Sequence, residues 1–304
     1  MAYSVKIIKD SVTSVCEFNY RLTTMEVTIP RLVLSEFNTH RSFSRNSASS
    51  RAIPVEKQIA KVLDDPFIPV YWGKNQKGMQ ADQELSFSEI EISKFEWLYA
   101  RDEAVKQARK LLAIGVHKQI TNRLLEPWMW QTIIVTATEW NNFFALRTHK
   151  DAQPEIRKGA IMMKEAYDAS IPKRLNYGDW HLPLLQDDEF VLSDDSPEWN
   201  ESQGFSGTMY TLPDAQKISA GRCARISYLT HVGTREPSAD IELCTNLIKS
   251  GHMSPLEHVA TPMDEQSVKE ILCDERIPFC GNFRGWVQLR KQIENEDDYS
   301  KILK

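Results

Sequence analysis

The chain has 304 residues, 41% hydrophobic and 26% charged, which is enough apolar material for one large domain or two modest ones. A formal net charge of −5 and a pI near 5.9 exclude the broad basic face that general nucleic-acid binding needs. With 12 glycines and no GxGxxG or GxxxxGK[ST] turn, Rossmann and P-loop nucleotide sites are excluded, and no HExxH, CxxC or clustered Asp/His spacing points to a metal.

In chain order, MAYSVKIIKDS lacks a signal pattern and no apolar run approaches the length of a bilayer crossing, so a soluble, cytoplasmic protein without membrane contact is expected. SVKIIKDSV (4–12) and TMEVTIP (24–30) alternate or are β-branched, which predicts short strands. Pro30 is expected to open a helix through RLVLSEFNTHR, where its missing N–H costs nothing. THRSFSRNSASSRA (39–52) then holds three arginines, five serines and no acid, which suits a solvated basic loop or an anion cradle.

A helix is predicted from about Ser93 to Arg123, with Val105, Ala108, Leu111, Leu112 and Val116 on one stripe and Gly115 as a possible break. TIIVT (132–136) is the best candidate for a buried strand, although its apolar run also fits a helix segment. PEIRKGAIMMKEAYDASIP predicts a helix from Pro154 with Ile156, Ala160, Met163 and Tyr167 facing a core, stopped by Pro172. Residues 177–217, including QDDEFVLSDDSPEWNESQGFSG, read as a long surface excursion. SADIELCTNLIKSG predicts a helix capped near Ser238 or Asp240 and ended by Gly251. The tail 294–304 is charged and expected to fray. Trp128, Trp130, Trp140 and Trp286 read as core aromatics. Cys16, Cys223, Cys244, Cys273 and Cys280, odd in number, read as reduced packing thiols.

GHMSPLEH (251–258) resembles the GHxSPFEH segment of flavin-dependent thymidylate synthases, and HRSFSRNSASSR is similar to that family's RHRxxSxNxxSxR signature, matching His40, Arg41, Ser44, Asn46, Ser49 and Arg51. QITNRLLEP and EWNNFFALRTHKDAQPEIR resemble two further family segments. The order is inverted, since the family's SPFEH segment precedes its RHR signature; this resembles a circular permutation, and FRGWVQLR (283–290) resembles both the run after SPFEH and a GNxRxW flavin segment.

The resemblance implies an α+β fold of helices on an antiparallel sheet, with one catalytic domain over 1–304. Residues 1–176 would form the nucleotide and flavin half, 177–217 a linker or lid, 218–293 the permuted segment, and 294–304 the tail. It implies bound FAD, with NADPH and methylenetetrahydrofolate as co-substrates, and reductive methylation of dUMP to dTMP. The implied assembly is a homotetramer. Alternatives are methylation or hydroxymethylation of another pyrimidine deoxynucleotide, and a non-catalytic nucleotide-binding homologue.

By carry-over, His40, Arg41, Ser44, Asn46, His252 and Ser254 would hold the flavin, with Ser44 and Asn46 shaping a turn. Ser47, Ser49, Ser50, Arg51, Arg123 and Arg147 would bind substrate, and Arg147, Arg51 and Ser49 would serve the reaction, with Asn122 as an alternative to Arg123. Ser49 and Arg51 would hold the phosphate, completed by backbone N–H groups of residues 47–51. Thr39 replaces the family's first arginine, Ser47 its acid, Glu36 its glutamine and Gln119 its glutamate. Losing a charged donor forfeits about 1.5–3 kcal/mol unless Arg45, Arg284 or Arg290 substitutes for it.

Overall fold

The computed structural model describes residues 3–15, 17–185, 189–192, 208–226, 236–266, 268, 279–294 and 296–298. β1 (Ser4–Val15) and β2 (Phe18–Pro30) form a long antiparallel pair. After α1 (Leu34–Asn38) comes the short strand β3 (Ser44–Ser47). Then follow α2 (Val55–Asp64), α3 (Phe87–Ala113), α4 (Lys118–Thr121), β4 (Trp130–Ala137), α5 (Asn141–Arg147), α6 (Pro154–Ala169) and β5 (Lys173–Arg174). The sheet order is β3-β4-β2-β1-β5, antiparallel except where β5 joins β1. The expected architecture of helices on an antiparallel sheet is present, and TIIVT is the buried centre of β4, whose first residue Trp130 is half-buried.

Alternation gives the sheet two different faces. On one, Met25, Val27, Ile29, Ile133 and Val135 pack against Phe37, Phe43, Trp140, Phe143, Ile156 and Met163 from α1, α5, α6 and their flanks. On the other, Thr24 and Thr136 are fully buried among polar partners. A bulge between Ile7 and Lys9 shifts the phase of β1. Val5 and Ile7 point to the helices, but beyond the bulge Asp10 takes that side, bonded to Arg21 and Thr23, and Ser11 joins the polar face.

The rest of the chain covers the polar face: β6 (Glu189–Leu192) pairs parallel with β7 (Thr208–Thr211), followed by α7 (Leu212–Arg225), α8 (Pro237–Lys249), β8 (Ala260–Pro262), β9 (Phe279–Cys280), β10 (Phe283–Arg284) and β11 (Trp286–Gln288). Phe283 and Trp286 bury against Leu22 of β2 and Leu175. α7 and α8 are locked by ions. Arg222 bonds Glu189 (2.5 Å) and Asp240 (3.1 Å), and Arg225 bonds Asp240 at 2.5 Å.

Several expectations change. Pro30 does not open a helix: it ends β2 opposite Trp130, Arg31 N–H extends the ladder to Met129 O, and a 3-10 turn precedes α1. The long helix starts earlier, at Phe87, because Ser86 and Glu89 form a capping box. It ends before Gly115, which has φ +82, and its end swings Leu112 to 38% exposure. The excursion 177–217 is partly interior: His181 is fully buried and paired with Ala260, Glu189 is an ion partner of Arg222, and α7 begins at Leu212. Residues 186–188 and 193–207 of that tract lie outside the described residues. Neither Ser238 nor Asp240 caps α8; Glu236 stands at that position, Pro237 starts the helix and Asp240 faces the two arginines. Gly251, φ +74, follows the helix as expected.

In the tail, Glu296 is held by Arg290 and Lys291, while 299–304 lie outside the described residues. Cys223 and Cys244 are buried packing thiols, Cys280 is half-buried, and Cys16 and Cys273 lie outside the described residues. Trp128, Trp140 and Trp286 are core residues, and Trp130 is half-buried. No helix among the described residues is long and apolar enough to cross a membrane.

Candidate functional site

β3 is a sheet-edge strand, not a turn, and its pairing with β4 sets Ser44 against Thr136 and Asn46 against Ile134. Both side chains therefore share the polar face. The C-terminal third clasps them there. Asn282 Nδ2 and Gln288 Nε2 donate to Ser44 Oγ at 3.1 and 3.2 Å. His258 Nε2 lies 2.9 Å from the Asn46 amide, and Ser254 Oγ lies 3.3 Å from it. The amide is satisfied when its nitrogen faces His258 Nε2 and the carbonyls of Arg45 and Ser254. The clasp needs Gly281, at φ +61, where a Cβ would stand 1.9 Å from Gln288 Oε1.

From His258 a buried row of bonds runs inward. His258 Nδ1 meets Thr136 Oγ1 at 2.8 Å, Thr136 meets Thr24 at 2.7 Å, Thr24 meets His181 Nε2 at 2.8 Å, and His181 Nδ1 meets Ser11 Oγ at 2.9 Å. Burial holds His258 at a pKa of about 3, and burial with nearby Lys9 and His258 holds His181 well below the usual range. Both rings are neutral at pH 7. Unfolded, they would titrate near 6.5. The depressed folded value contributes stability above pH 6.5 that is lost as pH falls toward the folded value, with a slope of up to about 1.4 kcal/mol per pH unit per ring. His258→Gln should therefore flatten the decline between pH 6.5 and 4, measured by urea unfolding; an unchanged slope would contradict it.

Across the edge strand, Arg147 Nε donates to His40 Nε2 at 2.9 Å, and Arg147 Nη2 donates to Thr39 Oγ1 at 3.1 Å and Glu36 O at 3.4 Å. Burial, then the Arg147 and Arg45 cations, lowers the His40 pKa to about 4. His40 is thus a neutral ring whose proton sits on Nδ1. A cleft of about 660 Å³ opens beside it, lined by Thr39, Arg41, Phe43, Arg45, Ser254 and Glu257, among others. That size suits a cofactor or substrate.

Of the expected site residues, Arg41 and Ser254 share this cleft, and His40 and Arg147 are bonded together behind its Thr39 wall. Ser44 and Asn46 form the clasp. Arg41 and Arg51 are exposed and make no ion pair among the described residues, so both guanidiniums are open to an anion. Ser47 is half-buried in β3, while Ser49 and Ser50 line a separate cavity behind the 48–53 turn. His252 does not line the cleft; it is exposed and bonded to Ser250 Oγ at 3.0 Å. Arg123 is exposed and paired with Glu126 at 2.8 Å, and Gln119 is exposed.

Three arginines considered as substitutes are already engaged. Arg45 holds the carbonyls of Asn38 and His40, Arg284 faces Glu139, and Arg290 binds Glu257 and Glu296. Asn122 is fully buried and donates to Ser50 O (2.6 Å) and Ile53 O (2.8 Å), so it shapes the turn that carries Arg51. Asn122→Ala should cost about 1–3 kcal/mol in denaturant unfolding.

Sequence reasoning missed His181, Thr24, Thr136, Asn282 and Gln288. The threonines had a signal in the alternation of β2 and β4, and Asn282 and Gln288 sit in GNFRGWVQ. His181 stands in a tract with no periodicity to mark it.

The model of the thymidylate synthase complementing protein family matches residues 2–173. The flavin-dependent thymidylate synthase of Aquifex aeolicus (strain VF5) is 31% identical over 147 residues, which are 47% of this chain and 44% of that protein. The chain thus spans less than half the length of that curated relative. Two crystal structures of the UMP/dUMP methylase PolB from Streptomyces cacaoi, bound with 5-Br dUMP and with 5-Br UMP, superpose with TM-scores of 0.46 and 0.45 at 17% and 16% identity. Each covers 55% of this chain, and 90% and 88% of the respective structure.

Proposed function

The chain belongs to the thymidylate synthase complementing protein family, and from that premise we propose that it is an FAD-dependent enzyme transferring a one-carbon unit from methylenetetrahydrofolate to C5 of dUMP, with NADPH as reductant. One observation carries the reading: segment 251–258 clasps strand β3 through Asn46, so that Ser254 and Arg41, 213 positions apart in the chain by subtraction of their numbers, line one cleft. This is the juxtaposition a permuted family member needs. The family match ends at residue 173, and the segment that completes the cleft lies beyond it. The same clasp supports one catalytic domain built from both halves. A homotetramer and a cytoplasmic setting follow from the family reading.

The residues present fit a flavin. The cleft offers the Arg41 guanidinium, which makes no ion pair among the described residues, and the Ser254 hydroxyl. His40, Arg41, Ser44, Asn46 and Ser254 would hold the cofactor, Ser44 and Asn46 through the edge strand they brace, whereas the exposed His252 stands outside this cleft. Bound FAD supplies the two-electron redox chemistry. The protein supplies position and charge. Arg147 is oriented by His40 and Thr39, which leaves Nη1 for a substrate oxygen. Ser49 and Arg51 would take the nucleotide phosphate with the backbone N–H groups of residues 47–51, and Arg123 would reach substrate only on leaving Glu126.

His40, neutral above about pH 4, serves as an acceptor that fixes Arg147 and does not serve as an acid. Thr39, bonded by Arg147 where the family has an arginine, favours a second reading in which another pyrimidine deoxynucleotide is methylated or hydroxymethylated.

Purified protein should be yellow or take up FAD. The reduced enzyme, reacted once with methylenetetrahydrofolate and dUMP, should yield dTMP by mass. Turnover of dCMP alone, or a hydroxymethyl product, selects the second reading; a protein that never binds FAD overturns both.

A further inference from the structure

Behind the 48–53 turn lies a cavity of about 170 Å³, separate in its lining from the Arg41 cleft. Its volume is far above the roughly 10–15 Å³ that a single water needs. Trp128, Met129, Trp130, Ile53 and Val62 supply broad apolar walls. Ser50 is 1% and Gln58 2% exposed, yet Ser50 Oγ, Gln58 Oε1 and Trp130 Nε1 have no hydrogen-bond partner among the described residues. Buried polar atoms are nearly always partnered, so the gathering of such atoms on one cavity points to an occupant.

The chemistry of the lining selects what that is. Lys61 is accompanied by Asp64 and Asp65, so the lining carries no net positive charge for a phosphate or carboxylate. An indole N–H can only donate, an amide oxygen can only accept, and a hydroxyl does either. Together they complement a ring edge on which an N–H stands beside a C=O. Two indoles favour a flat ring.

We propose that this cavity binds a neutral, planar, lactam-edged heterocycle of single-ring size, the class of free pyrimidine bases. The ring N–H faces Gln58, and the ring carbonyl takes the Trp130 N–H and the Ser50 hydroxyl. Asn122 ties the same turn to the helix end, so an occupant braces the segment that carries Ser49 and Arg51. The site does not depend on flavin chemistry and is tested without turnover.

The experiment titrates 5-fluorouracil into the full chain and follows the ligand by ¹⁹F NMR. Saturable binding is expected. Gln58→Leu and Trp130→Phe should each weaken it roughly five- to tenfold, as for one lost hydrogen bond, while Arg41→Ala and excess inorganic phosphate leave it unchanged. If circular dichroism shows that Gln58→Leu fails to fold, Trp130→Phe decides. No saturable binding overturns the assignment. So does binding abolished by Arg41→Ala or phosphate but intact in Trp130→Phe, which would put the ring in the other cleft. A soaked crystal showing only waters on Ser50, Gln58 and Trp130 would also overturn it.

Discussion

If the proposed reaction holds, Arg147→Ala should lower kcat/KM for dUMP by roughly 10²–10³-fold, the range seen when one preorganised charged donor is removed from a reacting centre. The guanidinium is held by His40 Nε2, Thr39 Oγ1 and Glu36 O, so its position is fixed before any ligand arrives. Preorganisation of this kind is lost with truncation. Lysine should restore little, because a point charge on a flexible stem cannot meet two acceptors and still present a third donor. The substitution also removes one of the two cations that depress His40, whose pKa should rise from about 4. The pH profile of the variant should move accordingly, read by titrating the His40 ring in NMR spectra. Unchanged kinetics together with an unshifted ring would remove Arg147 from the reaction.

Arg222→Leu should destabilise the fold by about 3–5 kcal/mol, because breaking a buried ion pair leaves its acid uncompensated. Its two partners have almost no access to water: the side chains of Glu189 and Asp240 are 3% and 0% exposed. Arg225 still serves Asp240 at 2.5 Å, so the larger share of the loss falls on Glu189 and the β6–β7 pair it anchors. Thermal unfolding should fall by about 5–8 °C for a chain of this size. A shift below about 1 kcal/mol would mean that water reaches the cluster.

How much of this was legible in the sequence depended on which force shaped each part. α6 could be read directly, since a Pro-started stripe such as Ile156, Ala160 and Met163 is set by burial of neighbours in the chain, whereas the apolar run of β4 marked burial and left strand or helix open. The motif residues His40, Arg41, Asn46 and Ser254 could be singled out as candidates, because the spacing within each motif is local. What escaped was what partners decide. The Ser11 side of β1 depends on one bulge, and His181 is buried where the chain pairs it with Ala260 and sets its ring between Thr24 and Ser11. Asp240 looks like a cap until Arg222 and Arg225 arrive from another helix. Arg123 sits inside a family-like segment, yet its side chain turns to Glu126.

The row from Asn46 to Ser11 has a further property. With the Asn46 nitrogen giving to His258, the ring must give to Thr136, Thr136 to Thr24, Thr24 to His181, and His181 to Ser11. Every proton points the same way, and no member can turn round unless all do. Reversing the row at Ser11, on the opposite side of the sheet's centre, would therefore require the amide beside Ser254 to turn as well.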